Sequence, residues 1–165
     1  MIQTAHMREL LEPAMLRRLI PATVRILKRL RAGGLEFDAI AFRGMSGALY
    51  AAPVAYLLNV PLIMVRKTDA NGHTGSHSYY KVEGDLNAMT YLVLDDFISS
   101  GHTVREIVRE IHEWNGAKCR GIVTAGGVAR TYRRGYSDRG QKNDRLPTAT
   151  FDLLPVEMFV KPERS

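Results

Sequence analysis

The chain has 165 residues, enough for one globular domain whose core needs neither metal nor disulfide to stabilise it. Its composition, 45% hydrophobic and 24% charged, excludes disordered, collagen-like and disulfide-rich proteins. Lys and Arg outnumber Asp and Glu by 23 to 17, and the net charge of +6 favours anionic partners such as phosphorylated metabolites, nucleic acid or acidic lipid.

An amphipathic helix is predicted near the N-terminus. From Met15 to Arg31, apolar residues recur every three or four positions and form one stripe of a helix. Pro21 is expected to start a second helical segment, and Gly33 with Gly34 is expected to stop the helix.

A strand, a turn, a helix and a second strand are predicted next. The two strands lack regular polar alternation, as expected for strands covered on both faces, and the span between them is long enough for a parallel crossover. These elements are the strand 37–42, the Gly-rich turn 43–47, a helix through Leu58 and the strand 61–65.

The second half of the chain continues this alternation after a long loop or flexible hairpin at 67–87. A buried strand at 91–94 runs into Asp95 and Asp96, and Thr103 is expected to cap a helix that ends near Gly116. The remaining segments are a strand at 119–124, a Gly- and Arg-rich loop at 126–148 and a last strand near 149–154. Together the elements predict an α/β fold: an open, twisted, mainly parallel sheet of about five strands with helices on both faces.

The segment YLVLDDFISSGHT, residues 91–103, carries the clearest chemical signal. A helix that follows small residues presents unpaired backbone N–H groups and the positive end of its dipole, which together bind phosphate. Two carboxylates at the carboxyl end of the preceding strand can accept hydrogen bonds from sugar hydroxyls and hold a hydrated Mg²⁺ ion. The segment therefore predicts a site for a phosphorylated sugar.

This segment resembles the phosphoribosyl-pyrophosphate (PRPP) signature of type I phosphoribosyltransferases. The resemblance implies one domain over residues 1–165, with a core at about 35–125 and a small variable hood built from the termini. It also implies Mg²⁺ as cofactor, PRPP and a nucleobase as substrates, a role in nucleotide salvage, and a homodimer. The implied phosphate loop consists of Ser99, Ser100, Gly101, His102 and Thr103.

The upstream segment 37–67 is similar to the family's first strand, pyrophosphate loop, helix and second strand. Arg43, Gly44 and Gly47 occupy the places of the pyrophosphate loop, and the resemblance implies a cis peptide between Phe42 and Arg43. The basic pair at the end of the second strand is expected to face the leaving group. These two residues are Arg66 and Lys67, and Lys67 joins Arg43, Asp95 and Asp96 in the implied catalytic set.

The loop after the second strand resembles the flexible loop that closes over the substrate in this family. His77, Ser78 and Tyr79 lie in it and are candidate substrate contacts. Closure of such a loop would exclude water from a reactive sugar cation.

The acceptor base is predicted from departures from other branches of the family. Ser99 stands where the hypoxanthine-guanine branch has an acid. Ala70 and Gly72 stand where orotate enzymes have a lysine and a His-Gly pair, so the catalytic lysine of those enzymes is missing. The run RG…G…APVA…VRK within residues 43–67 resembles adenine phosphoribosyltransferases, whose loop after the acid pair is also neutral at the place of Ser99. This resemblance makes adenine the favoured acceptor. An orotate-type enzyme, or a non-catalytic regulator that senses PRPP or binds RNA, remains the alternative.

Two further features concern partners and location. A cluster of basic residues interleaved with Tyr132 and Tyr136, within 130–145, is compatible with RNA binding but is not the favoured interpretation. Cys119 is the only cysteine, and charged residues interrupt the N-terminus where a signal peptide would be apolar. We therefore expect a cytoplasmic protein that does not enter membranes.

Overall fold

The computed structural model describes residues 12–67, 80–85, 87–96, 98 and 101–124, which contain three helices and five strands. The helices are α1 (Pro13–Ala32), α2 (Gly44–Leu58) and α3 (His102–Asn115). The strands are β1 (Ala39–Arg43), β2 (Leu62–Val65), β3 (Val82–Gly84), β4 (Thr90–Asp95) and β5 (Lys118–Thr124).

The strands form one sheet in the order β3-β2-β1-β4-β5. β1 pairs in parallel with β2 and β4, and β4 pairs in parallel with β5, while β3 alone of the described strands runs antiparallel, beside β2. Arg43 is in register with Val65, and Asp95 with Thr124. Because parallel strands end at the same edge, the carboxyl ends of β1, β2, β4 and β5 all meet there.

The sheet is covered on both faces, because its strands alternate between two apolar cores. Ile40 and Phe42 pack with α1 and α2 on one face, and Ala39 and Ala41 pack with α3 on the other. This arrangement confirms the predicted mainly parallel α/β sheet with helices on both faces. No helix in the described part of the chain combines the length and apolar character that a membrane crossing requires.

Two local predictions were wrong. Pro21 lies inside α1 and does not start a second helix, because the buried stripe continues on both sides of it, through Leu19 and Val24. Pro21 itself is exposed, so water can satisfy the carbonyl that its missing N–H leaves without a partner. The segment 67–87, expected to be a long loop or a flexible hairpin, contains the additional strand β3, which pairs antiparallel with β2 in the manner of a hairpin. The strand predicted near 149–154 and the loop at 126–148 lie outside the described residues.

The second error concerns the start of α3. Gly101, in the left-handed conformation with φ of 70°, precedes the first helical residue, and no side chain caps the helix. Thr103 therefore lies inside the first turn and is not the cap. The predicted end was right, since Gly116 closes α3 with φ of 73°.

Candidate active site at the carboxyl edge of the sheet

Charged side chains from the ends of three strands lie at the carboxyl edge of the sheet, the edge at which the parallel strands end. Arg43 ends β1, Lys67 follows β2 by two residues, and Asp95 ends β4. The N-termini of α2 and α3 begin in the loops that follow β1 and β4. The topology therefore brings two cations, two adjacent carboxylates and two helix N-termini to one edge.

Gly44 and Lys67 are in direct contact at this edge. Gly44 has φ of +75°, and a Cβ atom placed on it would lie 2.9 Å from Cε and 3.1 Å from Nζ of Lys67. Only a residue without a side chain leaves this space for the ammonium group. Lys67 thus lies over the bare backbone of the turn where β1 passes into α2.

Asp95 and Asp96 are adjacent carboxylates at the end of β4. The side chain of Asp95 is buried and half-buried Asp96 follows it, with the backbone N–H of Asp96 donating to Oδ1 of Asp95 at 3.0 Å. Burial, and then the neighbouring carboxyl of Asp96, raises the pKa of Asp95 well above its ordinary range, while the positive charge of Lys67 acts in the opposite direction. Asp95 is therefore a buried acid that the described residues do not fully compensate.

Arg43 points to the α3 face of the sheet and pairs with Glu106. The distance from Nη1 of Arg43 to Oε2 of Glu106 is 3.5 Å, and the Arg43 side chain is only 9% exposed. Its Nε is buried and has no hydrogen-bond partner among the described residues. Arg43 is consequently a buried cation with one long ion pair and donors left over for an anion.

Glu106 belongs to a charge network along one flank of α3 that the sequence interpretation missed. Arg109 bridges two carboxylates of its own helix, with Nη2 at 2.9 Å from Glu106 and 2.7 Å from Glu110. Buried Glu110 also faces Lys81, the residue before β3, at 3.5 Å. Although burial acts to raise the pKa of Glu110, the Arg109 hydrogen bond and the Lys81 charge hold it below its ordinary value. The spacing of these charges at i, i+3 and i+4 was the available signal.

Two predicted residues have other contacts in the structure. Arg66 Nε donates to Oε1 of Glu83 on β3 at 2.6 Å. The two residues of the basic pair therefore have different contacts: Lys67 lies against Gly44, and Arg66 binds the neighbouring strand β3. Gly47 is buried, and a Cβ on it would lie 3.3 Å from Cβ of Phe42. Its small size lets α2 approach β1 closely.

The remaining predicted residues belong to the phosphate loop and to the flexible loop. Gly101, His102 and Thr103 lie at the N-terminus of α3. Of these, Gly101 is buried, His102 is exposed and Thr103 is half-buried. Ser99 and Ser100 lie outside the described residues, as do His77, Ser78 and Tyr79.

The predicted cis peptide between Phe42 and Arg43 is absent. The described residues contain no cis peptide bond. Arg43 has extended backbone with φ of −141° and ψ of 134° and is still paired with Val65. The chain changes direction one residue later, at Gly44, where the left-handed conformation is accessible.

The carboxylate pair fits a hydrated magnesium ion. Within the described ranges no group of three or more His, Cys, Asp and Glu side chains could enclose a metal ion. Mg²⁺ commonly keeps several waters and binds one or two carboxylates together with substrate phosphates. Asp95 and Asp96 supply oxygen ligands of that kind, and the raised pKa of Asp95 reflects a charge that a cation would stabilise.

Comparison with known proteins identifies relatives of the chain. The model of the phosphoribosyl transferase domain matches residues 22–151. An adenine phosphoribosyltransferase of Treponema denticola is 35% identical over 98 residues, which cover 53% of this chain and 51% of that protein. The chain spans about half the length of the curated relatives it matches.

Solved structures resemble the fold. One is adenine phosphoribosyltransferase from Saccharomyces cerevisiae, crystallised with an imino-altritol bisphosphate and adenine. It is 22% identical with a TM-score of 0.53, over 72% of this chain and 70% of that one. Orotate phosphoribosyltransferase from Francisella tularensis is 18% identical with a TM-score of 0.53, over 70% of this chain and 54% of that one. At these identities the likeness establishes the shared fold.

Proposed function

The chain belongs to the phosphoribosyl transferase domain family, and we propose that it transfers the 5-phosphoribosyl group of PRPP to a nucleobase, adenine being favoured, and releases pyrophosphate. The observation that carries this proposal is the convergence of Lys67, bare Gly44 and buried Asp95 at one edge of the sheet. Lys67 and the bare turn at Gly44 suit an anionic leaving group, and the carboxylate of Asp95 suits the hydroxyls of a sugar. In this proposal, the whole chain from residue 1 to 165 acts as one catalytic domain.

Pyrophosphate binds at the turn between β1 and α2. The N-terminus of α2 presents backbone N–H groups that no side chain caps, and the ammonium of Lys67 lies against Gly44. Arg43 adds a guanidinium whose Nε lacks a partner in the described structure. Arg66 supports this turn indirectly, through its hydrogen bond to Glu83 on β3. Gly47 supports it by letting α2 pack closely against β1.

The ribose and its 5′-phosphate bind between β4 and α3. Asp95 and Asp96 accept hydrogen bonds from the ribose hydroxyls, and the uncapped N-terminus of α3 binds the phosphate. In this proposal, the phosphate loop from Ser99 to Thr103, which leads into α3 in the sequence, adds hydroxyl and N–H donors for the phosphate. His77, Ser78 and Tyr79 are the proposed substrate contacts from the segment between β2 and β3.

The mechanism follows from the charges that develop in the transition state. As the bond from C1 of the ribose to pyrophosphate breaks, the leaving oxygens become more negative and the sugar ring becomes positive. Lys67 and Arg43 stabilise the leaving oxygens, and the two aspartates stabilise and orient the ring. Bound Mg²⁺, held by Asp95 and Asp96 through water, would supply further positive charge near the pyrophosphate oxygens. A ring nitrogen of the base then forms the new bond to C1, and its N–H proton passes to the released pyrophosphate or to water.

Adenine is the proposed acceptor because two independent observations favour it. The curated relatives that match the chain are named adenine phosphoribosyltransferases. Ser99 also replaces the acid by which the hypoxanthine-guanine branch acts on its purine, and Ala70 stands where orotate enzymes carry a lysine. The proposed biological role is purine salvage in the cytoplasm.

The proposed assembly is a homodimer that pairs through α2. This helix of 15 residues contains no charged side chain, yet it exposes Met45, Tyr56 and Leu57. The outer face of α1, by contrast, carries exposed arginines and would repel a second copy. Tyr56→Glu should therefore shift the chain towards monomer in sedimentation experiments, and Arg25→Glu should not.

The decisive experiment measures pyrophosphate release from PRPP and Mg²⁺ with a panel of bases. Release with adenine supports the full proposal, and release with orotate or hypoxanthine alone corrects the acceptor. PRPP binding without turnover on any base would instead make the chain a PRPP sensor. Absence of PRPP binding would overturn the proposal.

A further inference from the structure

The outer face of α1 carries an uncompensated row of positive charge. No acidic residue occurs between Pro13 and Leu35. All five basic residues of the row are exposed: Arg17, Arg18, Arg25, Lys28 and Arg29. A sixth, Arg31, turns away from this row, since it donates to the carbonyl of Phe37 at 2.9 Å and covers the Phe37 ring.

The row occupies one sector of the helix. At about 100° per residue, the five side chains fall within a sector of about 120°, and Arg17 and Arg29 lie about 18 Å apart along the axis. The opposite side buries Leu19, Val24 and Leu27 in the core. Three short side chains share the charged sector and leave its surface flat: Ala14, Pro21 and Ala32.

The helix dipole accounts for only part of this charge. Cations in the last turn, such as Arg29, interact favourably with the negative end of the dipole. Arg17 and Arg18 lie in the N-terminal half, where the dipole gives them no such support. Arg25 and Arg29 are like charges at i and i+4, which destabilise a helix.

None of the five cations has an ion pair with an acidic residue in the described structure. On α3, by contrast, Arg109 is matched by Glu106 and Glu110 of its own helix. The sequence of α1 thus concentrates repulsive charge at a surface where the described part of the fold supplies no opposite charge. An external polyanion would relieve that repulsion.

We propose that the outer face of α1 binds the phosphate backbone of double-helical nucleic acid, independently of sequence. Insertion into an acidic membrane is disfavoured because the apolar side of α1 is already buried in the core. Single strands are disfavoured because the charged sector contains no aromatic side chain on which a base could stack. A row of fixed cations over about 18 Å suits the closely spaced phosphates of a duplex. This surface is distinct from the carboxyl-edge site and does not depend on turnover.

The test compares two variants that each remove two positive charges from the full chain. Arg25→Gln with Arg29→Gln changes the proposed surface, and Lys118→Gln with Arg120→Gln changes two exposed residues of β5 as the matched control. Binding to a mixed-sequence DNA duplex of about 20 base pairs is measured by fluorescence anisotropy from about 50 to 200 mM salt. Circular dichroism verifies that both variants are folded.

The wild type and the β5 variant should bind equally, within about twofold. The α1 variant should bind at least about tenfold more weakly at the lower salt concentration, and the slope of log K against log salt should shrink by about 1.8, since each lost phosphate contact contributes about 0.9. Absence of duplex binding by the wild type would overturn the proposal, as would equal weakening of both variants. Stronger binding to single strands, or binding to anionic vesicles but not to duplex, would overturn it as well.

Discussion

The polar groups at the two edges of the sheet differ in whether they have hydrogen-bond partners within the described structure. At the amino edge, Asp38 accepts hydrogen bonds from the backbone N–H of Met89 at 3.1 Å, from that of Thr90 at 2.9 Å and from the Thr90 hydroxyl at 2.9 Å. Asn115 donates to the carbonyl of Ala88 and accepts from the N–H of Ala117, both at 3.0 Å. These polar side chains join the strand starts to one another and need no ligand.

At the carboxyl edge, buried polar groups lack the partners that their burial requires. Asp95 carries a raised pKa, and Nε of Arg43 has no hydrogen bond to a described residue. Exposed Lys67 lies beside them, against Gly44. Buried polar groups without partners destabilise a fold, so their retention at one edge indicates that a ligand completes them. The contrast distinguishes an edge whose polar groups stabilise the fold from the edge at which we propose that substrate binds.

Replacing both carboxylates should have the largest effect on the proposed activity. Asp95→Asn with Asp96→Asn removes the groups that hold the ribose and Mg²⁺, and we expect pyrophosphate release to fall by a factor of about 1,000 or more. Thermal stability should rise at neutral pH. The pKa of Asp95 in the folded protein lies above its ordinary value of 3.8. Its ionised carboxylate therefore destabilises the folded state at pH values above 3.8, and the neutral Asn side chain removes this destabilisation.

Steady-state rates and melting curves of the purified variant test both parts of this expectation. Asp85→Asn, at a half-buried aspartate after β3, is the control and should change neither quantity appreciably. A double variant that retains more than a tenth of the activity would show that the carboxyl edge is not the catalytic centre.

Gly44→Ala should have the next largest effect, and Gly116→Ala is its matched control. The two glycines have φ of +75° and +73°, so alanine is strained by about 1 kcal/mol at either position. A Cβ at position 44 would also displace Lys67, whereas a Cβ at position 116 meets no atom within 4 Å.

Both glycine variants should therefore lose similar stability in urea unfolding. Only Gly44→Ala should lose activity, by about 10- to 100-fold, if displacement of Lys67 removes one electrostatic contact to the leaving group. Equal activity of the two variants would contradict the role given to the turn.

Glu106→Gln should have a smaller and more selective effect. Glu106 is a positioning residue that holds the buried guanidinium of Arg43, and its loss leaves that cation without its carboxylate. We expect the KM for PRPP to rise about three- to tenfold with little change in kcat, since pyrophosphate binding is affected before chemistry. The control is Glu113→Gln, whose side chain is 62% exposed and 3.9 Å from Arg109.

A double-mutant cycle with Arg43→Gln shows whether Glu106 acts through Arg43. If it does, Glu106→Gln should have little further effect on KM once Arg43 is replaced. Additive effects would assign Glu106 to the structure of α3 alone.

The sequence predicted the elements that are built from continuous apolar runs. β1, β2 and β4 were recognised because a parallel strand covered on both faces is apolar over its whole length, and Gly116 marked the end of α3. β3 was missed because Val82–Gly84 is short and its pairing depends on β2, which precedes it by a loop. Pairing across such a distance leaves no periodic signal.

The motif predicted residues that lie together at the carboxyl edge, but not how they are partnered. The segment around Asp95 and the turn at Gly44 were recognised from residue types and order. The ion pair of Arg43 with Glu106 joins residues 63 positions apart, and only the folded chain brings β1 against α3. The division of Arg66 from Lys67 likewise required β3, because Glu83 is the partner of Arg66.

Asp38→Ala tests the amino edge and should have the smallest effect of these variants. It should lower stability slightly and leave catalysis unchanged. Removing an exposed carboxylate that accepts three hydrogen bonds should lower the free energy of unfolding by about 1 kcal/mol, the lower part of the usual range because water replaces some of the bonds. The hydrogen bond from the Thr90 side chain, together with two backbone N–H groups, lowers the pKa of Asp38 below its ordinary value of 3.8. The charged form is therefore the one that stabilises the fold, fully above that value, and its contribution is lost as the pH falls through the lowered pKa. Urea unfolding of wild type and variant should accordingly differ at pH 7 and converge in strong acid, with KM and kcat unchanged at pH 7. A variant that lost activity without losing stability would show that the amino edge also serves the substrate.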